Sequence, residues 1–384
     1  MLYVVKRDGR EVEFNSEKIA QAIKGSANEI GLTLKESEVL TTVAKVTDYI
    51  DLEYKKSITV EQIQNFVEKA LQDQGHIDIA VAYSTYRKER TKVREIKSDL
   101  MKAIRQIGIE TDRDNANVGN NFSSKLLRIA SESNKWNTLA VMPKNLARAH
   151  ETGDLYYHDL DSYNLTVNCL HIPTKEMLVN GFNTGYGTIN APKRIETAAE
   201  LSCILLQSTQ NDMFGGQSHP DFDNDMAIFV EPTRVEVQEE LKEIGVPFDK
   251  IDELTEKKVK KRIHQAMQGV VYNLNTMHSR AGSQVPFSSI NLGLPESEDA
   301  ALVCEIFLLE YEKGLGRGEQ PIFPNIIFRV KDGVNREEGD PYFYLYKLAC
   351  RVAAKRMNPT FMNIDADFNK EYYDNGYIPA TMGC

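Results

Sequence analysis

Thiols are the side chains of this chain best suited to redox chemistry, because cysteine alone among ordinary residues supports reversible hydrogen-atom and electron transfer at sulfur. Five are present: Cys169, Cys203, Cys304, Cys350 and Cys384. Their number is odd and no Cys-x-x-Cys spacing occurs, so neither a zinc knuckle nor a disulfide scaffold is supported, and reduced thiols are the default. Cys203, Cys304 and Cys350 lie in apolar, helical contexts and read as buried structural thiols. The other two are Cys169, in Asn164-Leu-Thr-Val-Asn-Cys-Leu-His171, and Cys384, in Thr381-Met-Gly-Cys384, 215 positions apart.

Other constellations are weaker. His158, Asp159 and Asp161 look like a metal box, yet they lack a third nitrogen ligand nearby, and structural hydrogen bonding is the better reading; no metal is assigned. Gln210-Asn-Asp-Met-Phe-Gly-Gly-Gln217 sets paired glycines beside amides, which suits close backbone approach to a ligand and equally a bulge. Lys193 and Arg194 open a helix where cations can meet a phosphate, although exposed first-turn cations are as common. In Ser279-Arg-Ala-Gly-Ser-Gln-Val-Pro-Phe-Ser-Ser-Ile-Asn291, serine and glutamine donors and the backbone around Gly282 are suited to ribose hydroxyls or a phosphate tail. A plain turn followed by a strand stands beside that reading.

The elements that must position these residues fall into two regions. Residues 1–93 begin with apolar runs Tyr3-Val-Val5 and Val12-Glu-Phe14 around Asp8-Gly9, a hairpin signal. A helix follows, capped by Asn15 or Ser16 and ended by Gly31, then one carrying Val39, Val43, Val46 and Ile50. Thr59-Val-Glu-Gln62 offers a capping box for a third helix, and a fourth runs from Asp78 through Arg90. Lys6-Arg7-Asp8-Gly9-Arg10 beside the helix at Lys18 makes a plausible triphosphate cradle, with a solvated basic turn as the bland alternative.

A charged helical connector, Thr91 to Gln106, leads into the second region, residues 94–384. Leu165-Thr-Val167, Ile189 onward, Ala227-Ile-Phe-Val230, Pro321-Ile-Phe-Pro324 and Ile326-Ile-Phe328 read as strands; Val237 to Ile244, Glu256 to Leu274, Ala300 to Gly314 and Pro341 to Met357 read as helices. Such alternation predicts an α/β architecture, a large barrel or a layered sheet. A formal charge of -10 argues against a nucleic-acid coat, no apolar run reaches a membrane span, and Met1 to Lys6 has no signal-peptide pattern, so a cytoplasmic location is expected.

Val4-x-Lys6-Arg7-Asp8-Gly9 with Phe14-Asn15-x-x-Lys18-Ile19, Thr59 and Tyr83-x-x-Tyr86-Arg87 resembles the ATP-cone, a regulatory ATP/dATP-binding module of ribonucleotide reductases. The resemblance implies nucleotide contacts from Val4, Lys6, Arg7, Asn15, Lys18 and Thr59, with Arg87 or Lys88 completing the phosphate site. His158-Asp-Leu-Asp161, Asn168-Cys169, Gly215-Gly-Gln217, Ser279 to Phe287, Asn358-Pro359 and Met382-Gly-Cys384 resemble, in order, the motifs of the anaerobic, class III ribonucleotide reductases. That family reduces ribonucleoside triphosphates with a protein thiyl radical inside a ten-stranded α/β barrel. The expected fold is therefore a small ATP-cone, a β-hairpin plus helical bundle, followed by part of such a barrel.

By the same resemblance, Cys384 lies on a loop threading the barrel and becomes the thiyl radical that abstracts the ribose 3′ hydrogen, while Cys169 delivers a hydrogen atom from the opposite face. Ser283, Gln284, Ser288 and Asn168 are candidates for substrate contact, and Lys193 and Gln207 for a specificity-effector site. The implied partners are formate as reductant, an iron–sulfur, S-adenosylmethionine-dependent activase that installs a glycyl radical, and a second copy of the chain in a homodimer or higher oligomer. Family members continue past this loop to a glycyl-radical segment and a four-cysteine zinc site, for which no matching sequence is found here. The chain is thus expected to be incomplete alone. The alternative is a nucleotide-binding regulatory fragment without turnover.

Overall fold

In the computed structural model, residues 2–6, 10–54, 56–109, 121–163 and 167–383 are described. The chain divides into two compact units, Met1–Arg105 and Gln106–Cys384.

In the first unit, β1 (Tyr3–Val5) pairs antiparallel with β2 (Glu11–Glu13) and parallel with β3 (Ser57–Thr59). The hairpin follows the sequence reading within one residue. The third strand was not legible, because its three residues run directly into a helix cap. Helices α1 (Glu17–Glu29), α2 (Glu36–Glu53), α3 (Val60–Asp73) and α4 (Ile77–Ile109) complete the unit. Thr59 caps α3 in the expected box: its hydroxyl accepts from the Gln62 backbone while Gln62 Oε1 accepts from the Thr59 N–H at 2.9 Å. Ile19, Ile23, Val46, Ile50, Val67 and Leu71 make the core. The predicted fourth helix and charged connector are one helix, α4, inside which the division of units falls.

The second unit begins with α5 (Phe122–Val141) and α6 (Lys144–Thr152). Its sheet strands are β4 (Leu170–His171), β7 (Gln217–His219), β8 (Ser288–Leu292), β9 (Asn325–Val330) and β10 (Thr360–Asn363), all parallel, in the order β10-β9-β8-β7-β4. Between β4 and β7 lie α7 (Thr174–Asn180), the small hairpin β5 (Phe182–Asn183) with β6 (Thr188–Ile189), and α8 (Ile195–Thr209). The helices α9 (Phe222–Ala227), α10 (Val230–Glu243) and α11 (Phe248–Thr276) connect β7 to β8, α12 (Glu298–Lys313) connects β8 to β9, and α13 (Phe343–Arg356) leads to β10 and α14 (Asp367–Asp374). Parallel strands require such crossovers.

The core of this unit packs α8, α11 and α12 with Ile290, Leu292, Ile326 and Phe328 of the sheet. Ala227-Ile-Phe-Val230, expected as a strand, is instead the junction of α9 and α10. A short apolar run is buried in either element and carries no period that separates them. Pro321 to Pro324 is irregular chain before β9, and of the expected strand at Leu165 only Val167 is described, in an isolated bridge to Met213. No helix among the described residues is long and apolar enough to cross a membrane.

Candidate active site and nucleotide clefts

Cys169 stands one residue before β4, exposed and unbridged. Gly215 stands two residues before β7 and presses against it: the Gly215 N–H donates to the Asn168 carbonyl at 2.6 Å, and the Leu170 N–H donates to the Gly216 carbonyl at 3.2 Å. A Cβ on Gly215 would come within 2.3 Å of the Asn168 carbonyl oxygen, 2.7 Å of Asn168 Oδ1 and 2.8 Å of Cys169 Sγ. Of the two sequence readings for this glycine pair, close approach describes Gly215, and what approaches is the thiol's own strand.

On β8, Ser289 and Asn291 share one face by the two-residue alternation of a strand. Asn291 is fully buried and satisfied on several sides. Its amide nitrogen donates to Ser218 Oγ at 2.8 Å and to the Thr381 carbonyl at 2.9 Å, and its Oδ1 accepts from the Thr381 N–H at 3.0 Å. Two residues on, the Gly383 N–H donates to Ser289 Oγ at 3.0 Å, and a Cβ on Gly383 would lie 2.4 Å from Asn325 Cβ. The segment 381–383 is thereby clamped along β8 and β9. Between β8 and β4, whose start carries Cys169, only β7 intervenes, a spacing of roughly 10 Å between strand axes. Cys384 lies outside the described residues.

The remaining candidates divide. Asn168 is at the thiol. Ser283 and Gln284 sit in a tight loop closed by the Arg280 and Gln284 backbones, with left-handed backbone at Gly282 and Ser283. Ser288 alternates to the face of Gln217, whose side chain bonds the α8 carbonyl of Leu206; the hydroxyl on the clamped face belongs to Ser289. Lys193 precedes α8 and Gln207 lies in its last turn, bonded to Asn273 on α11, so about 20 Å of helix separates the two and the structure does not bring them together. Asp161 accepts from Ser131 and its carbonyl from Asn134 at 2.5 Å, a structural tie to α5.

Sequence reasoning missed Arg280, whose guanidinium stacks 4.0 Å above Phe287 and donates to the Phe214 carbonyl beside Gly215. It also missed Arg329, wholly buried, which pairs with Asp221 and lies 3.6 Å from Asp223. Burial holds His219 neutral, pushing it down to about 4, and its ring is fixed by Thr174 Oγ1 at 2.6 Å. Burial also pushes the Cys203 thiol up to about 12 and Cys304 upward, which fits inert structural thiols. Cys350 differs from expectation and is exposed: Ala349 faces the core, and the next residue is turned about 100° away around α13.

In the first unit, Val4, Lys6, Asn15 and Lys18 line one cleft of about 170 Å³ together with Tyr83, of the quoted motif, and Gln64, a lining residue the sequence did not single out. Arg7 lies outside the described residues. Thr59 is occupied as a helix cap. Arg87 lines a neighbouring cleft of about 530 Å³ that shares Ala22, Gln64 and Tyr83, and is tied there to Asn65 at 2.6 Å and Glu68 at 3.2 Å; Lys88 lines neither cleft.

These two units make a mixed α/β protein with a small helical-and-hairpin module and a parallel-sheet unit bearing an exposed thiol. Residues 114–384 match the family model "Anaerobic ribonucleoside-triphosphate reductase" and residues 2–92 match "ATP cone domain". The anaerobic ribonucleoside-triphosphate reductase of Escherichia coli K12 is 30% identical over 391 residues, covering 100% of this chain and 54% of that protein. The enzyme of the same description from Enterobacteria phage T4 is 30% identical over 248 residues, covering 64% of this chain and 40% of its own length. The crystal structure of the anaerobic ribonucleotide reductase from Thermotoga maritima with dATP and CTP superposes with a TM-score of 0.49 at 18% identity, over 72% of this chain and 50% of that one. The chain belongs to the anaerobic ribonucleoside-triphosphate reductase family, and it spans about half the length of the curated relatives it matches.

Proposed function

We propose that the second unit takes part in reducing ribonucleoside triphosphates to 2′-deoxyribonucleoside triphosphates by thiyl-radical chemistry, under ATP and dATP control from the first unit. The observation that carries the reading is the clamp of 381–383 onto Ser289 and Asn291, in a sheet whose edge strand β4 is immediately preceded by Cys169. In this reading Cys384 loses a hydrogen atom to a glycyl radical, installed by an iron–sulfur, S-adenosylmethionine-dependent activase, and takes the ribose 3′ hydrogen. The 2′ hydroxyl leaves as water, Cys169 delivers a hydrogen atom at C2′ and is restored by the reductant, and Cys384 gives the 3′ hydrogen back, which regenerates its radical. Formate supplies the two electrons overall and leaves as carbon dioxide.

What this chain's own residues contribute is placement. Gly215 lets the Cys169 strand close on its neighbour, Asn291 fixes the passing loop, and Gly383 fits against Asn325 where any side chain collides. Among the described residues zinc finds no fit: Cys203 and Cys304 are buried in one apolar core, and no three histidine, cysteine or acidic side chains converge to hold a metal ion. Lys6, Asn15 and Lys18 are the groups proposed to hold effector phosphates, and the protein is read as working in a homodimer or larger assembly in the cytoplasm.

The test is calorimetric titration of ATP and dATP into the chain and its Lys6→Ala and Lys18→Ala variants, with mass followed by light scattering, beside an assay of deoxynucleotide formation with activase and formate. Micromolar binding lost in both variants supports effector control. Binding without any deoxynucleotide formed, even when the longer protein is supplied, sinks the reductive reading and leaves a nucleotide-binding regulator.

A further inference from the structure

At the carboxyl ends of β4, β7 and β8 lies a cleft of about 570 Å³, walled by the first turns of α7 and α12, by α9 and by Ile378. Its lining carries the carboxylates of Glu176, Asp221, Asp225, Glu296 and Asp299 against one cation, Lys175. Two of those carboxylates are already matched: Asp221 by Arg329, and Asp299 by Arg234 at 2.6 Å. Asp225 is not. It is 5% exposed, it lines the cleft, and no hydrogen bond or ion pair among the described residues reaches its carboxylate. Capping of a helix end does not explain it, since it lies four residues past the Asp221 cap of α9.

A buried carboxylate without a partner either takes up a proton or takes up a cation. No three histidine, cysteine or acidic side chains among the described residues converge closely enough to hold a metal ion. The charges come instead from three separate helical segments and are strung along the cleft, from buried Asp225 to exposed Glu176 and Glu296. We propose that this cleft binds an extended organic cation of the alkyl-diammonium class, one ammonium group on Asp225 and the other at the rim carboxylates.

The charged groups around Asp225 set the pH dependence. Burial first, then Asp221 and Asp223 on its own helix and Glu176 on α7, raise it to about 8, with Lys175 of α7 opposing. Arg329 of β9 is engaged by Asp221 and Asp223, while Glu296 and Asp299 line the α12 side. An ammonium partner favours the ionised carboxylate, so binding below that range releases a proton and affinity rises with pH.

The test is titration of 1,4-diaminobutane into the full chain by calorimetry at pH 6.5 and pH 8, in buffers of different ionisation enthalpy. Binding about tenfold tighter at the higher pH, with proton release at the lower, is expected for one linked carboxyl group. Asp225→Asn should weaken binding at least tenfold and flatten its pH dependence. Glu176→Gln, an exposed rim change that leaves folding undisturbed, should weaken it a few-fold, and Glu239→Gln on α10, outside the cleft, should leave it unchanged. Absence of binding, equal binding in the Asp225 and Glu176 variants, or an equal loss in the Glu239 variant would overturn the proposal. Displacement of the diamine by an equal concentration of magnesium would overturn its chemical class.

Discussion

The two units place their polar residues differently. In the first, Lys6 and Lys18 line a cleft beside a small core, Arg87 of α4 is tied across to Asn65 and Glu68 of α3, and Thr59 caps α3. In the second, Ser218, Ser289 and Asn291 are buried in strands and locked to one another and to a passing loop. In the proposed reading, a reversible nucleotide site needs charge and access, whereas two sulfurs that each exchange a hydrogen atom with a substrate held between them need fixed distances, and buried, satisfied polar networks supply the rigidity. The difference predicts that damage in the first unit is graded and damage in the second is abrupt.

The sharpest test is Cys169→Ser, which should reduce deoxynucleotide formation to background while leaving ATP affinity unchanged. Loss of both would break the separation. Next, Gly215→Ala forces a methyl into the Asn168 carbonyl and the Cys169 sulfur; activity should fall by more than tenfold, and calorimetry should show about 1–3 kcal/mol of lost stability. In the first unit, Lys6→Ala and Lys18→Ala should each weaken ATP binding roughly 10- to 100-fold, as expected for one charge-assisted contact, with no change in the melting of the second unit. Asn291→Ala strands partners of the loop clamp and should cost about 1–3 kcal/mol in chemical denaturation.

A separate pair of effects comes from titration. His219 is held down near 4 in the folded chain against 6.5 unfolded, so its contribution is present above 6.5 and is lost as pH falls from 6.5 to about 4. Asp225 is raised to about 8 against 3.8, so the unfolded chain ionises first and stability declines as pH rises between those values. Asp225→Asn should therefore raise the melting temperature at pH 8 and have less effect at pH 5. Equal shifts at both values would show that Asp225 titrates normally.

Helical periodicity and caps were legible in the sequence: the Thr59 to Gln62 box, Gly31 after α1, and the long α11 and α12 follow from local residues. The strands were harder. β7 is Gln-Ser-His, polar because its side chains bond α8, α7 and β8, and three polar residues carry no strand signal of their own. Both thiols were visible as residue types, but the Gly215 contact with Cys169 and the Asn291 contact with Thr381 join residues 46 and 90 positions apart, which no local pattern encodes. Arg280 and Arg329 were passed over because an arginine's charge says nothing about whether a ring or a buried aspartate awaits it.

Gly383, wedged against Asn325 with its N–H held by Ser289, has a genetic corollary. Every base change that replaces a glycine either stops translation or installs a residue with a Cβ, and at this position the Cβ meets a neighbouring strand. A library of random single-nucleotide variants should therefore contain no tolerated missense allele at codon 383, whereas Gly185 and Gly376, with open space around them, should admit aspartate, which accepts left-handed backbone and lies one base change from two of the glycine codons.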